Sequence, residues 1–362
     1  MELILVRHGE SESNLSGRWQ GHSDSALSET GRRQAALLAR RLEHEGFDLV
    51  LSSDLSRAAD TARALGRPVE LDPGFREVAL GSWEGLTRPE VAERFPEQVQ
   101  ALSRGATDMR IGGGESWDDM HERVDAALSE LRGRVDDDAR VLLFSHGGVI
   151  SGLVAGLMGL RGRHPRPHGR ISNTAVTRLR LSDEGAELLT YNDATHVGPM
   201  GEWAADRLSK GDPVLTLVSH AAHEEEDDPS APGRSRGAGS MVAVERLGAW
   251  AGSFAHIYAA GRAPVRNAGA VLAERSRITL SDDAVDEHDL GAALGRLAEA
   301  HGGHPVGVLA DASAVAGFAT RVLAPGNGSQ LARPTHTAVA HLVWSKGYRF
   351  MAAYNLAPHL EG

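Results

Sequence analysis

The feature that most constrains this 362-residue chain is its opening stretch, a short apolar run that stops abruptly at Arg7-His8-Gly9. An apolar run of this length with a β-branched residue is typical of a buried strand. Open α/β sheets bind their ligands at the carboxyl ends of such strands. Arg7 offers a planar set of donors suited to phosphate, and His8 offers a ring nitrogen that can attack phosphorus or move a proton. Taken alone, the pair also fits a strand end without any function.

Later segments supply partners for these two residues. Residues 141–145 form a second apolar run, which ends at His146-Gly147-Gly148 where a helix begins. Glycines let a ligand approach the backbone, and the free amides at a helix start favour an anion. A third predicted strand, residues 47–51, leads into a helix that carries Arg57. Histidines and arginines at neighbouring strand ends together predict one anion site.

A carboxylate at Glu77 has two interpretations. It lies in a short extended segment before a glycine-bounded turn, residues 81–85. Glu77 is either half of a surface ion pair with Arg76 or a proton donor held over the anion site, and the local sequence leaves both open.

Composition limits the classes of partner. The formal net charge is −11 and the pI is near 5.9, which argues against nucleic acid or an anionic membrane surface as a partner. The chain has no cysteine, which excludes disulfides and thiolate chemistry. The first predicted strand begins almost at Met1, leaving no room for a leader, and no apolar run reaches membrane-spanning length. We therefore expect a cytoplasmic protein with no membrane segment.

The order of these segments is similar to that of a known family. The set Arg7-His8-Gly9-Glu10 with Asn14, then residues 52–58, Arg76-Glu77 and residues 145–148, resembles the histidine phosphatase superfamily over roughly residues 1–200. The resemblance implies a doubly wound α/β domain in which His8 is transiently phosphorylated. It implies a catalytic set made by His8, Arg7, Arg57, Glu77 and His146. It implies substrate contacts from Asn14, Gln20 and Gly147, and it implies no metal and no other cofactor.

Three departures separate this chain from the mutases of that family. Mutases carry a longer insert after the segment of Glu77, an Asn at the position of Gly148 and a Tyr at the position of Leu80. The expected function is therefore hydrolysis of a small phosphomonoester, with Glu77 as general acid and base. The alternatives are a cofactor-dependent phosphoglycerate mutase and a non-catalytic regulatory protein that binds a phosphorylated ligand.

The second half resembles the first. Thr174, Tyr191-Asn192 and His196 recur at one constant offset as Thr337, Tyr354-Asn355 and His359. Val214–His220 resembles the opening strand, with Ser219 and His220 at the positions of Arg7 and His8, and Asp311 aligns with His146. We expect two doubly wound three-layer α/β/α domains of this family's type in tandem: a catalytic domain over residues 1–205 and a degenerate, non-catalytic domain over residues 206–362.

Two expectations about the second half remain open. Residues 224–239 are acidic and then rich in Gly, Pro and Ser, which is typical of a flexible loop. The less favoured alternative is a metal site made by His220, His223 and Asp311 with the acidic cluster from Glu224 onward. Two fused domains would form a pseudo-dimer within one chain, and the sequence leaves the oligomeric state open.

Overall fold

The computed structural model describes residues 1–162, 167–220, 254–260, 263–281, 285, 289–323, 326, 328–334, 338–345 and 348–356. The chain divides into two compact units. Unit 1 comprises Met1–Arg166, Arg170–Leu189 and Pro325–Gln330, and unit 2 comprises Pro167–Gly169, Thr190–Ala324 and Leu331–Gly362. Both units mix helices with strands, so the predicted α/β class is confirmed.

Up to residue 193, strands and helices are mixed along the chain. Short 3-10 turns occur at Pro73–Phe75, Gly81–Trp83 and Ile111–Gly113. The strands are β1 Glu2–Arg7, β2 Leu49–Ser52, β3 Glu70–Leu71, β4 Arg140–Ser145, β5 Val176–Ser182 and β6 Gly185–Asp193. The helices are α1 Glu12–Leu15, α2 Glu29–Arg41, α3 Ser56–Arg63, α4 Arg88–Arg94, α5 Pro96–Ser103, α6 Trp117–Arg134 and α7 Gly147–Leu157.

The sheet of unit 1 brings the predicted strand ends to one edge. Its strand order is β3-β2-β4-β1-β5-β6, with β1, β2 and β4 mutually parallel and β5 antiparallel to β1. Arg7 of β1 lies opposite Ser145 of β4. Because the strands are parallel and in this register, His8 and His146 leave the sheet side by side.

Both faces of the central strands are buried, as their nearly continuous apolar sequences predict. Ile4 and Val6 project to one face, where they pack with Leu38 of α2 and Ala62 of α3. Leu3 and Leu5, which alternate with them, are also fully buried. Each such leucine contributes about 1.5–3 kcal/mol to folding. This packing fixes the strand ends on which the functional residues lie.

The first turn of α2 approaches the backbone that follows His8 very closely. A Cβ atom at Gly31 would lie 1.9 Å from the carbonyl oxygen of Glu10, and a Cβ atom at Gly9 would lie 2.6 Å from the carbonyl oxygen of Gly31. Only glycine fits at either position, so this pair of glycines allows the backbone of α2 to pack directly against the strand end.

Unit 2 also combines helices with strands. Its helices are α8 Glu202–Ser209, α9 Ala263–Ser276, α10 Leu290–Ala300 and α11 Ala312–Leu323. The further strands are β7 Val214–His220, β8 His256–Ala259, β9 Pro305–Asp311, β10 Gln330–Leu331, β11 Val339–Ser345 and β12 Tyr348–Leu356. The strand order is β12-β11-β7-β9-β8, with β7, β8 and β9 parallel and β11 antiparallel to both β7 and β12.

The two Tyr-Asn pairs of the sequence repeat share their local structure. Asn192 and Asn355 both adopt a left-handed backbone with φ of 55°. The hydroxyl of Tyr191 donates to the carbonyl of Gly169 at 2.7 Å, and that of Tyr354 donates to the carbonyl of Ala332 at 2.6 Å. Gly169 and Ala332 are separated by the same number of residues as Tyr191 and Tyr354. The repeated sequence therefore also repeats this hydrogen bond. Two other members of the repeat, Thr337 and His359, lie outside the described residues.

In the part of the chain that the structure describes, no helix is both long enough and apolar enough to cross a membrane.

Candidate active site

His8 and His146 form the centre of the site at the carboxyl edge of β1 and β4. Their ring centroids are 5.2 Å apart, and the side chains are buried, with 3% and 0% exposure. The backbone N–H of His8 donates to the carbonyl of Ser145 at 3.0 Å, which continues the ladder one residue beyond the strand. The two histidines that the sequence placed at separate strand ends therefore face each other.

The ring of His8 has a defined tautomer. Its Nδ1 lies 2.7 Å from the carbonyl oxygen of Gly9, which can only accept, so Nδ1 carries the hydrogen. Burial, followed by the charges of Arg57 and Arg7, holds the pKa of His8 well below its ordinary value, against the opposing effect of the Gly9 hydrogen bond. His8 is therefore neutral near pH 7 and keeps a lone pair on Nε2.

Thr61 links the loop after His8 to the helix that carries Arg57. Its hydroxyl accepts from the N–H of Gly9 at 3.0 Å and donates to the carbonyl of Arg57 at 2.7 Å. The same Gly9 residue orients His8 through its carbonyl. One threonine thus ties the nucleophile candidate and the arginine into a single rigid arrangement.

Arg57 is buried, with 1% exposure, although a helix arginine is usually at the surface. Its Nη1 donates to the carbonyl of Ser23 at 3.0 Å, and its Nη2 donates to that of Gly21 at 2.8 Å. Burial lowers the pKa of Arg57 to about 10, while Glu77 and Asp24 act in the opposite direction. The group therefore remains a cation at neutral pH in a place where water screens it weakly.

Arg7 and Gly147 lie against each other. Nη1 of Arg7 donates to the carbonyl of Ile171 at 2.7 Å. A Cβ atom on Gly147 would be 3.5 Å from Nε of Arg7, so the guanidinium borders the first turn of α7. The positive end of the helix and the guanidinium thus meet at one place, a combination that favours an anion.

Glu77 is held by the same helix start rather than by Arg76. One carboxylate oxygen accepts from the N–H of Gly148 at 3.0 Å, and the other accepts from the N–H of Val78 at 3.0 Å. Arg76 instead makes a two-pronged ion pair with Asp54. Glu77 is therefore not the ion-pair partner of Arg76, and its carboxylate lies at the start of α7. Its role as a proton donor stays a prediction.

Arg123 fixes the loop that carries Glu77. Its guanidinium donates to the carbonyls of Gly74 at 2.8 Å and Glu77 at 3.2 Å and pairs with Glu115 at 2.8 Å. On the other side, Nε2 of His22 donates to the carbonyl of Glu77 at 2.8 Å. Two donors, one on α6 and one in the loop between α1 and α2, therefore hold the backbone of Glu77.

Asn14 and Gln20, which were predicted to contact substrate, both bond to Ser11 in the loop after His8. Asn14 closes a capping box with Ser11 at the start of α1, and Oε1 of Gln20 accepts from the Ser11 hydroxyl at 2.9 Å. They shape the loop beside the site, and their contact with substrate stays a prediction.

Sequence reasoning missed several residues that support the site. Thr61, Arg123 and His22 were not singled out, and Asn173, whose side chain donates to the carbonyl of His8 at 2.8 Å, lies 165 residues from its partner. Ser53 contacts His146, with its Oγ 2.9 Å from Nε2. Of these residues, only Ser53 lies within one of the motifs that carry the family resemblance, residues 52–58. Nothing in the sequence indicates that Ser53 contacts His146.

Comparison with known proteins agrees with this geometry. A profile of the histidine phosphatase superfamily (branch 1) matches residues 3–194. The chain is 35% identical over 207 residues to the metal-independent phosphoserine phosphatase of Arabidopsis thaliana, covering 55% of this chain and 84% of that protein. It is 40% identical over 168 residues to the glucosyl-3-phosphoglycerate phosphatase of Mycolicibacterium vanbaalenii, covering 44% and 74%.

Among solved structures, Bacillus stearothermophilus YhfR matches with a TM-score of 0.50 and 30% identity, covering 54% of this chain and 98% of that one. The matching profile spans more than half of the chain and contains every residue of the candidate site. The chain belongs to the histidine phosphatase superfamily.

Proposed function

We propose that this protein hydrolyses a small phosphomonoester through a phosphohistidine intermediate on His8. The observation that carries the proposal is that the ring of His8 is neutral and buried, and that its hydrogen bond with Gly9 leaves the lone pair on Nε2 unused. Two guanidinium groups and a second imidazole lie beside the ring. Phosphoryl transfer depends mainly on positioning and on charge stabilisation of the equatorial oxygens. A nucleophile surrounded by fixed donors meets both requirements without a metal.

In the first half-reaction, Nε2 of His8 attacks phosphorus and the bond from phosphorus to the leaving oxygen breaks. The electron pair goes to that oxygen, which takes a proton from Glu77. Arg7, Arg57 and His146 hold the three equatorial oxygens. The proposal is supported by the hydrogen bond from Gly148 to Glu77, which holds the carboxylate at the start of the helix that follows His146.

In the second half-reaction, Glu77 acts as a base. It takes a proton from a water molecule, whose oxygen attacks phosphorus as the bond to Nε2 breaks. The electron pair returns to His8, inorganic phosphate leaves, and Glu77 is again protonated for the next cycle. The arginines stay in place through both steps, because neither is consumed.

We propose a small phosphorylated metabolite as the substrate class. The named activities of the relatives, on phosphoserine and on glucosyl-3-phosphoglycerate, support this class and differ from each other in the leaving group. Gly148 and Leu80, where the family's mutases carry Asn and Tyr, favour hydrolysis over return of the phosphoryl group to a sugar acid.

Replacement of His8 tests the proposed nucleophile. We expect His8→Ala to abolish hydrolysis of p-nitrophenyl phosphate by the full-length protein, because the substitution removes the proposed nucleophile. His44→Ala, at an exposed histidine after α2, is the matched control and should keep the wild-type rate.

Turnover by a folded His8→Ala protein would refute the mechanism. Incubation of the wild-type protein with 2- and 3-phosphoglycerate tests the mutase alternative, since a mutase would interconvert them without net release of inorganic phosphate.

We further propose that residues 206–362 are a degenerate, non-catalytic copy of the catalytic domain of residues 1–205. The strand order β12-β11-β7-β9-β8 supports this, because it follows β6-β5-β1-β4-β2. The pair β11-β7 is antiparallel like β5-β1, and the pairs β7-β9 and β9-β8 are parallel like β1-β4 and β4-β2. The left-handed Asn residues and the Tyr hydrogen bonds, which recur at the offset of the sequence repeat, support it independently.

The strand registers support the loss of catalytic residues in unit 2. Ser219 pairs with Ala310 as Arg7 pairs with Ser145, which aligns Asp311 with His146. The N–H of Ala260 donates to the carbonyl of Leu309, just as the N–H of Ser53 donates to the carbonyl of Phe144. Ala260 therefore aligns with Ser53, and by the same spacing Pro264 aligns with Arg57. Neither arginine has a counterpart at its own position. His223 and residues 224–239, needed for the metal-site alternative, lie outside the described residues.

A further inference from the structure

His146 is held through one nitrogen only. Nε2 lies 2.9 Å from the hydroxyl oxygen of Ser53, and Nδ1 is buried without a hydrogen-bond partner among the residues that the structure describes. The ring is fully buried. A buried polar atom of this kind is costly unless something satisfies it.

The direction of the hydrogen bond between Ser53 and His146 follows from the other partner of the hydroxyl. The N–H of Leu55 points to Oγ of Ser53 at 3.4 Å, and an N–H can only donate. Nε2 of His146 is therefore the acceptor available to the hydroxyl hydrogen within the described structure. Ser53 is itself 0% exposed, so leaving that hydrogen unused would cost free energy.

A donating Ser53 determines where His146 carries its hydrogen. Burial, followed by the charges of Arg57, His8 and Arg7, holds the pKa of His146 well below its ordinary value, so the ring is neutral and has one N–H. If Nε2 accepts from Ser53, that N–H is at Nδ1. Among the described residues this Nδ1–H has no acceptor, so it is a donor that needs one.

We propose that Ser53 is a positioning residue that fixes His146 as the Nδ1–H tautomer and so makes it a hydrogen-bond donor to the phosphoryl group. The inference rests on the proposed function, since the acceptor is a phosphoryl oxygen. His8 has the same tautomer but bonds through the opposite nitrogen, with Nδ1–H donating to Gly9 and the Nε2 lone pair left for attack. The two adjacent rings thus present a lone pair and an N–H to the same site.

The tautomer is measured directly on the intact protein. Long-range ¹H–¹⁵N correlation spectra of full-length protein labelled with ¹⁵N-histidine distinguish the two neutral forms of each ring, and His146→Gln assigns the signals. We expect His146 to carry hydrogen on Nδ1 at pH 7.5. A spectrum with hydrogen on Nε2 would overturn the proposal, whatever the enzyme's activity.

Kinetics of Ser53→Ala test the consequence for turnover. We expect kcat/KM for p-nitrophenyl phosphate to fall about 10- to 100-fold, because loss of a supporting hydrogen bond weakens a donor to the transferred group. The affinity for inorganic phosphate should fall with it. Ser53→Thr keeps the hydroxyl and should keep most of the wild-type rate.

Ser52→Ala is the matched control. Its hydroxyl is equally buried and donates to the carbonyl of Ser53 at 2.8 Å, away from His146. Equal kcat/KM for folded Ser53→Ala and Ser52→Ala proteins would contradict the inference. The wild-type spectrum decides the tautomer even if Ser53→Ala does not fold. Absence of turnover in the wild-type protein would instead refute the proposed function and leave the tautomer measurement intact.

Discussion

Gly148 sets the position of the proposed general acid because it has no side chain. Its N–H holds one oxygen of the Glu77 carboxylate at 3.0 Å, and a Cβ atom at residue 148 would lie 2.3 Å from the other oxygen and 3.1 Å from the ring of Trp117. The amide can approach the carboxylate only because nothing projects between them. A residue that could not itself take part in proton transfer thus decides where the proton donor lies.

Substitution at Gly148 should therefore depend on the leaving group. We expect Gly148→Ala to reduce kcat/KM for an alkyl phosphate by about 100-fold, the lower part of the range for general acid catalysis. For 2,4-dinitrophenyl phosphate, whose leaving group needs no proton, kcat/KM should change much less, because this ratio reports phosphoryl transfer to His8 and not the later step in which Glu77 acts as a base. Gly133→Ala, at a helical glycine with no atom within 4 Å of its added Cβ, is the control for the substitution itself. Equal losses on both substrates would contradict the role of Gly148.

At the scale of elements, the site depends on connections between segments that are distant in sequence. Helix α6 supplies Arg123, which holds the backbone of residues 74–77, and α3 supplies Thr61, which holds Gly9. Both side chains bond to backbone atoms of loops, so the helices α6 and α3 restrain the loops that carry Glu77 and His8.

Removal of Arg123 should affect both stability and catalysis. We expect Arg123→Met to lower the free energy of unfolding by about 1–3 kcal/mol, since several carbonyls and the half-buried Glu115 lose their partner. Activity toward an alkyl phosphate should fall in the same variant. Urea unfolding and steady-state rates measure the two effects. Arg63→Met removes an exposed ion pair with Asp60 and should cost less than about 1 kcal/mol. A similar cost for both variants would show that Arg123 does not support the loop.

At the scale of the whole molecule, the two units differ in chemistry more than in strand order. The sheet edge of unit 1 carries Arg7, His8 and His146, with Arg57 on the adjoining helix α3. In unit 2, β7 ends at Ser219 and His220, and β9 ends at Asp311. Asp311 accepts from the N–H of Ser313 at 2.8 Å and so resembles a helix cap. Under the proposed duplication this carboxylate lies at the position of the His146 imidazole, where it would repel a phosphate.

Replacement of the second strand-end histidine tests this difference in the full-length chain. We expect His220→Ala to leave kcat/KM for p-nitrophenyl phosphate unchanged, whereas His8→Ala removes it. His220 is buried, so thermal unfolding must be followed in parallel. A large loss of turnover in a protein that unfolds like the wild type would show that unit 2 takes part in the reaction.

The sequence by itself determined the strands that end in Arg7-His8 and Ser145-His146, the helix that presents Arg57 and the α/β class, because these depend on local apolar runs, glycines and helix starts. It also determined family membership, because an ordered set of short motifs survives in the linear chain. Only the tertiary structure decided that Glu77 bonds to Gly148 rather than Arg76, and that Ser53, Thr61, Arg123 and Asn173 support the site. Those choices depend on hydrogen-bond geometry between segments up to 165 residues apart, which no local pattern encodes.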